Sequence, residues 1–485
     1  MNRFVLLMFA AVSLLCRAAT PGDAAQLPIS GVRIVNVSSE PQLQAAFGNL
    51  RDGDTIVLAD GTYDLTGILT INNRQNVTIR GASGSTNVVL AGKGMDNRNH
   101  GGVLHAIWSN STNTTIAHLT IRDTYDNPII FNSGAQSPRV YSVRLVDAGS
   151  QFIKANPTDV NAGLGVNNGR VEYCVFEYTT RPPNDHGAGV GYFNGISAHA
   201  ADNWVIRGNL FKNLHNPDGT DYPWNPAVLF WRNSSNTVTE QNTFINVDRA
   251  VAYGLDHTTP FRDHSGGVIR NNFIYLEPGL LTAGRKQSSD GSIIVWNSPG
   301  TQVDHNTVLV NGNEFYAIEF RFATTTGAAA RNNLTDAPIH RRDNADATLS
   351  GNLTSATPQM FVNPGAGDLH LRPAAASAIN KAPPLGTVTN DFDGELRPAG
   401  SNADLGADEL SLVRPVINGF EVGGGEAIIQ FSTVPDQSYF LERAENLSNA
   451  WTVASSNGTG SGATLEFRDV APAVPQRFYR IRSIP

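Results

Sequence analysis

Six asparagines, each in the same short local setting, constrain this chain more than any other feature. Arg207-Gly208-Asn209-Leu210-Phe211, Glu240-Gln241-Asn242-Thr243-Phe244 and Arg270-Asn271-Asn272-Phe273-Ile274 set the pattern. Asp304-His305-Asn306-Thr307-Val308, Arg331-Asn332-Asn333-Leu334 and Ser350-Gly351-Asn352-Leu353 continue it. The asparagines are 33, 30, 34, 27 and 19 residues apart. A fixed motif at variable spacing describes a constant rung with loops of different length inserted between copies. Asparagine suits a sharp corner because it tolerates left-handed backbone. Stacked on successive rungs, its amide can also bond the next asparagine and form a ladder. Ordinary turns of a β-sandwich are the alternative, but they do not require the repeated Asn-x-Phe/Val grammar.

Second short strands lie between these corners: 127–132, 151–156, 194–199, 227–232, 249–253, 292–296 and 316–321. Strands of about five residues suit a solenoid rung better than an open sheet. Charged residues make up only 16%, aromatics 8%, and there are 46 glycines, a turn-rich β composition. The reading is an all-β chain: a right-handed parallel β-helix over 26–410 and a small C-terminal β-sandwich over 411–485. Gln42 to Phe47 has helical character and would cap the first rung, shielding its open edge. Asn390 to Asp408 reads as an irregular closing segment. The C-terminal module is expected from short alternating strands near 427–431, 438–442, 464–467 and 478–482, separated by Gly/Ser/Asn turns.

Met1-Asn2-Arg3 followed by an apolar run to Leu15 and small residues from Ala18 to Ala25 reads as a signal peptide over 1–25, and hence a secreted or periplasmic protein. The apolar run is too short for a stable membrane span, so no membrane insertion is expected. Leu15 before Cys16 departs from a lipoprotein signal. Cys174 then remains alone, without a disulfide, as a small buried apolar residue. A formal net charge of −8 argues against nucleic-acid partners. Nothing in the sequence argues for an oligomer, and a monomer is expected.

Gly53-Asp54-Thr55-Ile56-Val57-Leu58 with Asp60-Gly61-Thr62-Tyr63, followed by rungs that carry asparagine, resembles secreted β-helical polysaccharide lyases of the chondroitinase-B and alginate-lyase-like group. The likeness of style covers residues 40–410. The resemblance implies a lysine base, an arginine partner and calcium as the cofactor, held in that group by Asn and Glu. No residues here match that calcium motif one for one, so the metal ligands are left open. The C-terminal stretch Tyr439–Arg443 with Trp451 and Phe478–Arg482 is similar to small modules appended to secreted bacterial enzymes, as a glycan binder, tether or spacer.

Alternation along the strands sorts inward from outward residues. With Ile129, Ile153, Ile196, Val251 and Ile318 inward, the residues three further on, among them Asn156, His199 and Arg321, point outward. Lys154 and Glu319 follow the inward isoleucines by one and also face out. The 227–233 strand fits with Leu229 inward and Arg232 outward. Rungs stack about 4.8 Å apart, so Lys154, His199, Arg232 and Arg321 would form a basic ridge on an acidic chain, a site for an anionic ligand. β-Elimination on a uronate needs a base for the C5 proton, a cation for the carboxylate and a proton for the leaving oxygen. Lys154, His199, Arg232 and Tyr253 meet that list on adjacent rungs as candidate catalytic residues. Lys154, His199, Arg232 and Arg321 also have plainer readings, as a solvated lysine, a loop-bonded histidine, and arginines paired to Glu319 or Asp248.

Substrate-binding candidates are Asn156, Asp185, His186, Tyr192, Trp224, Trp231, His257, His264 and Arg321, from the ridge and its flanking loops. The function these features suggest is a lyase for an anionic, uronate-containing polysaccharide. A glycoside hydrolase would instead need two carboxylates about 5–10 Å apart, which Asp185, Asp218, Asp256, Asp263 and Glu319 could supply. A uronate epimerase would share the lyase's first step. A non-catalytic glycan-binding surface protein would keep the aromatics and tolerate loss of Lys154 and His199.

Overall fold

In the computed structural model the described residues are 21–180, 193–215, 226–258, 260–410, 415–423, 425–433, 438–445, 451–460, 462–470 and 477–484. Among them the chain winds as a right-handed parallel β-helix, built from three parallel sheets of 12, 10 and 10 strands. Each coil passes through the sheets in the same order. The first sheet begins at Arg33–Val37, the second at Gly61–Asp64 and the third at Leu69–Ile71. Most rung strands have three to five residues, because two inward side chains per strand are enough to fill the narrow interior. A continuous stack of Ile, Val, Leu and Phe runs the length of the helix, from Ile56 to Ala347. The helix Glu40–Gly48 buries Leu43 and Phe47, and Gln44 bonds Gly67 O, so it covers the first coil as expected.

The asparagine ladder is present. Asn209 Nδ2 donates to Asn242 Oδ1 at 2.9 Å, Asn242 to Asn272 at 3.0 Å, and Asn272 to Asn306 at 2.9 Å. Asn306 and Asn333 continue it to Asn352. Its first four members are wholly buried, and each also bonds main chain. The ladder asparagines do not themselves take the left-handed corner, however. The left-handed residues are the ones just before: Gly208, Gln241, Asn271, His305, Asn332 and Gly351. The ladder residue points inward, and its amide satisfies the main chain of the adjoining rungs. Cys174 occupies the same position one coil earlier, where its N–H donates to Asn209 Oδ1. It is fully buried, with its thiol pushed up to about 12 by that burial.

The segment near 390–408 does not cap the end of the helix. Together with 356–382 it folds back over the outer face of the second sheet, where Phe361, Leu369, Leu371 and Leu405 pack on Ile245, Phe273, Leu309 and Leu334. At the other end of the chain, Gly22 to Leu27, a stretch that overlaps the 1–25 span, lies across several rungs. Gly22 N bonds Tyr173 O, Ala24 N bonds Ser142 Oγ, and Leu27 N bonds His118 Nε2. Two three-stranded antiparallel sheets follow at the C-terminus and enclose Ile429, Phe431, Tyr439, Leu441 and Phe467. Among the described residues no helix is long and apolar enough to cross a membrane.

Candidate active site

The third sheet carries the charged face. In register, its outward row reads Thr70, Trp108, Ile130, Lys154, Ser197, Leu229, Ala252, Ile294, Glu319, His340. A second row at the ends of the strands includes His199 beside Trp231, and then Trp296, Arg321 and Arg342. Asn156 follows Ala155, which pairs with Ala198, so it sits one rung from His199 and is half-buried.

Lys154 and His199 meet. The Lys154 ammonium nitrogen is 3.3 Å from His199 Nε2 and donates to Ser197 Oγ at 3.1 Å. Lys154 is only 8% exposed. That burial, with the Arg232 guanidinium nearby, lowers its pKa to about 8, and Asp126 in the preceding turn pulls weakly the other way. Burial and the two cations Lys154 and Arg232 drive His199 down to about 2, so it is a neutral imidazole. Among the described residues no carboxylate lies within ion-pair distance of Lys154, nor of Arg232. Arg232 lies over the Trp231 ring at 4.7 Å, and Trp231 meets the His199 ring edge-on at 5.0 Å. Arg232 Nε and Trp231 Nε1 are buried donors without an acceptor, which marks a place where an acceptor belongs. A buried, low-pKa amine with uncompensated donors beside it can bind an anion and take a proton from it.

Several expectations need correcting. Leu229 is not inward. Val228 pairs with Ile196, which puts Leu229 on the outer row and Trp231 level with His199. Arg232 lies one residue beyond the strand in left-handed backbone, with its N–H on Asp263 Oδ1 at 2.6 Å. Tyr253 is an interior residue, fully buried and two positions after inward Val251. Its hydroxyl is committed to Thr239 Oγ1 and Val268 O, and burial pushes its pKa up. It cannot deliver a proton to the outer face. His264 is likewise fully buried, stacked on Tyr253 and bonded to Ser298 and Thr237, with burial lowering it to about 3. It cannot touch a substrate.

Arg321 does not extend the ridge, because it pairs with Asp343 at 2.5 Å and covers Trp296 and Phe322. His257 stacks on Phe322 at 4.1 Å in that same distal region. Asp185, His186, Tyr192 and Trp224, with Asp218, lie outside the described residues. Of the remaining carboxylates considered for hydrolysis, Asp263 is fully buried and accepts from the Arg232, Leu255 and Asp256 amides. Glu319 is 1% exposed and bonds Trp296 and Arg342. Asp256 accepts from Thr258. Two residues were overlooked. Asp126 is near Lys154 only through the fold and has no sequence signal. Trp108 follows an inward isoleucine by one, the parity that identified Lys154.

One described group could hold a metal. His370, Asp393 and Asp408 bring ligand atoms within 4.8 Å of one another. It lies on the flank built over the second sheet, and His370 already bonds Asp368 through Nδ1 and Asp393 through Nε2. Burial would lower His370, but its hydrogen bonds to Asp368 and Asp393 outweigh that and raise it to about 11. Near Lys154 the described residues include one carboxylate, Asp126, whereas calcium requires a cage of several oxygen ligands.

No family model matches the chain, and no curated protein matches it. Among solved structures it is similar to an alginate lyase from Paenibacillus sp. strain FPU-7, at 18% identity over 66% of this chain and 99% of that one, with a TM-score of 0.44. It is also similar to a polysaccharide lyase from Pseudopedobacter saltans, at 12% identity over 75% and 99%, with a TM-score of 0.37. A thermostable α-1,3-glucanase catalytic unit from Streptomyces thermodiastaticus matches at 14% identity over 68% and 70%, with a TM-score of 0.37.

Proposed function

We propose that the protein is a polysaccharide lyase that cleaves a uronate-containing polymer by β-elimination, with Lys154 as the base. The observation that carries this reading is the desolvated Lys154 amine, held by Ser197 and His199 and unpaired with any described carboxylate. As a neutral amine it donates one N–H to Ser197 Oγ and the other to His199 Nε2, with His199 as the Nδ1–H tautomer. Those two bonds and Cε leave the lone pair at the fourth tetrahedral position, available to the C5 proton of a uronate.

Arg232 receives the carboxylate and stabilises the charge that moves onto it as the C5–H bond breaks. The C4–C5 double bond then forms, the C4–O bond breaks, and the Lys154 ammonium returns its proton to the departing oxygen. One proton moves from C5 to O4 and no external reductant or oxidant is required. No step here uses a metal.

The test is incubation of the purified protein with alginate, pectate, hyaluronan and chondroitin. Ultraviolet absorbance of unsaturated uronate on one polymer supports the reading. New reducing ends without that absorbance would assign a hydrolase, and neither product on a broad panel would refute an enzyme of this class.

A further inference from the structure

The outward row that carries Lys154 also carries a tryptophan that no part of the mechanism uses. Trp108 pairs with Ile130, and Ile130 pairs with Lys154, so Trp108 stands two rungs away on the same face. At about 4.8 Å per rung the separation is about 10 Å. Ile107 and Ser109 on either side of it are fully buried, whereas Trp108 is half-buried. Among the described residues its ring has no aromatic or cationic partner, and its indole N–H has no acceptor. Between Trp108 and Lys154 the only outward side chain on this row is Ile130, which is apolar and 7% exposed. Trp231 lies two rungs from Lys154 in the opposite direction. Its outer surface is taken up by Arg232 and His199, so the two tryptophans are not equivalent.

We infer that Trp108 is a sugar-binding platform, against which a residue of the acidic polysaccharide stacks its apolar C–H face while the neighbouring part of the same chain reaches Lys154. This rests on the lyase reading for the identity of the polymer and deepens it. The polymer runs along the helix axis and crosses rungs, and recognition alternates between an apolar platform and a cationic seat. Carboxylates fall at Arg232, and the ring face falls at Trp108.

The experiment compares wild type, Trp108→Ala and Trp108→Phe, each checked for an unchanged melting temperature and circular dichroism. Two readouts are taken. The first is KM and kcat on the polymer that wild type cleaves and on its shortest cleavable oligosaccharide. The second is binding of the polymer, measured calorimetrically in a Lys154→Ala background where turnover is removed. Trp108→Ala should raise KM and Kd for polymer about tenfold, the effect of losing one aromatic stacking surface, with kcat nearly unchanged. Trp108→Phe should recover most of the loss. Polymer kinetics and binding equal to wild type in a folded Trp108→Ala protein would overturn the platform while leaving the lyase reading intact. A wild type that binds polymer without forming unsaturated product would overturn the lyase reading, and the binding arm would still decide the platform. A wild type that neither binds nor cleaves any tested polymer would overturn both.

Discussion

Two stretches of the third sheet, a proximal one from Lys154 to Arg232 and a distal one from Arg249 to Arg342, carry similar residues and treat them in opposite ways. At the distal end Arg249, Arg321 and Arg342 are matched by Asp290, Asp343 and Glu319, all within hydrogen-bonding distance. Arg321 lies over Trp296 and Phe322, Arg342 lies over Trp296, and Glu319 is buried. At the proximal end Lys154 and Arg232 have no described carboxylate partner, and their neighbour His199 is held neutral. The distal cluster is closed by its own counter-ions and contributes to holding rungs together. The proximal cluster is left with cations that lack a described carboxylate partner, which is the state expected of a site that awaits an anion. Charge on a face is therefore not the signal; missing compensation is.

The sharpest way to break this contrast is to remove one cation from each end. Lys154→Ala should lower kcat/KM on the cleaved polymer by about a thousandfold, in the range of a lost general base. Its melting temperature should hold or rise, because a desolvated amine has been taken out. A residual activity within tenfold of wild type would place the chemistry elsewhere. Arg342→Ala should do the reverse. It takes the ion-pair partner from buried Glu319 and leaves Asp290 with Arg249 alone, and denaturant titration should show a loss of about 2 kcal/mol, below the cost for a fully buried pair because Arg342 is partly exposed, with activity per folded molecule kept.

Smaller effects sharpen the comparison through pH. On the proposed mechanism Lys154 acts as the neutral amine, so kcat/KM should rise with pH through about 8 and level off above it. Arg232 helps to hold the lysine low. In Arg232→Gln the ascending limb should move to higher pH, besides a loss of activity, and a limb that stays in place would remove Arg232 from the lysine's surroundings. The smallest effect belongs to the distal end. Burial raises Glu314 from 4.5 to about 8, so the folded state holds that proton more tightly than the unfolded chain does. Stability from this group is greatest below 4.5 and is lost as pH rises toward 8. Glu314→Gln should flatten the melting temperature across that window.

Much of the architecture was legible in the sequence because it repeats. The asparagines at 209, 242, 272, 306, 333 and 352 mark coils, and the ladder follows from stacking them. The location of the left-handed corner was missed by one residue, since the repeat alone does not say which of two adjacent polar residues turns inward. The candidate site, as a spatial cluster, was legible in part. Lys154 and His199 were found by parity, and parity also contained the correction for Tyr253, which shares the inward face of Val251. Arg232 was reached through a shifted register. It ends near the site because the chain turns into left-handed backbone there. The pairing of Arg321 with Asp343 and the presence of Asp126 near Lys154 depend on neighbouring coils, and short-range sequence patterns do not encode them.

The most direct test of Lys154 as the base of an elimination is the mass of the products formed in oxygen-18 water. The account predicts new non-reducing ends that lack the elements of water and contain no heavy oxygen from cleavage, formed by wild type and absent with Lys154→Ala. Products that carry one heavy oxygen per cleavage, or unsaturated ends made equally well by Lys154→Ala, would contradict it.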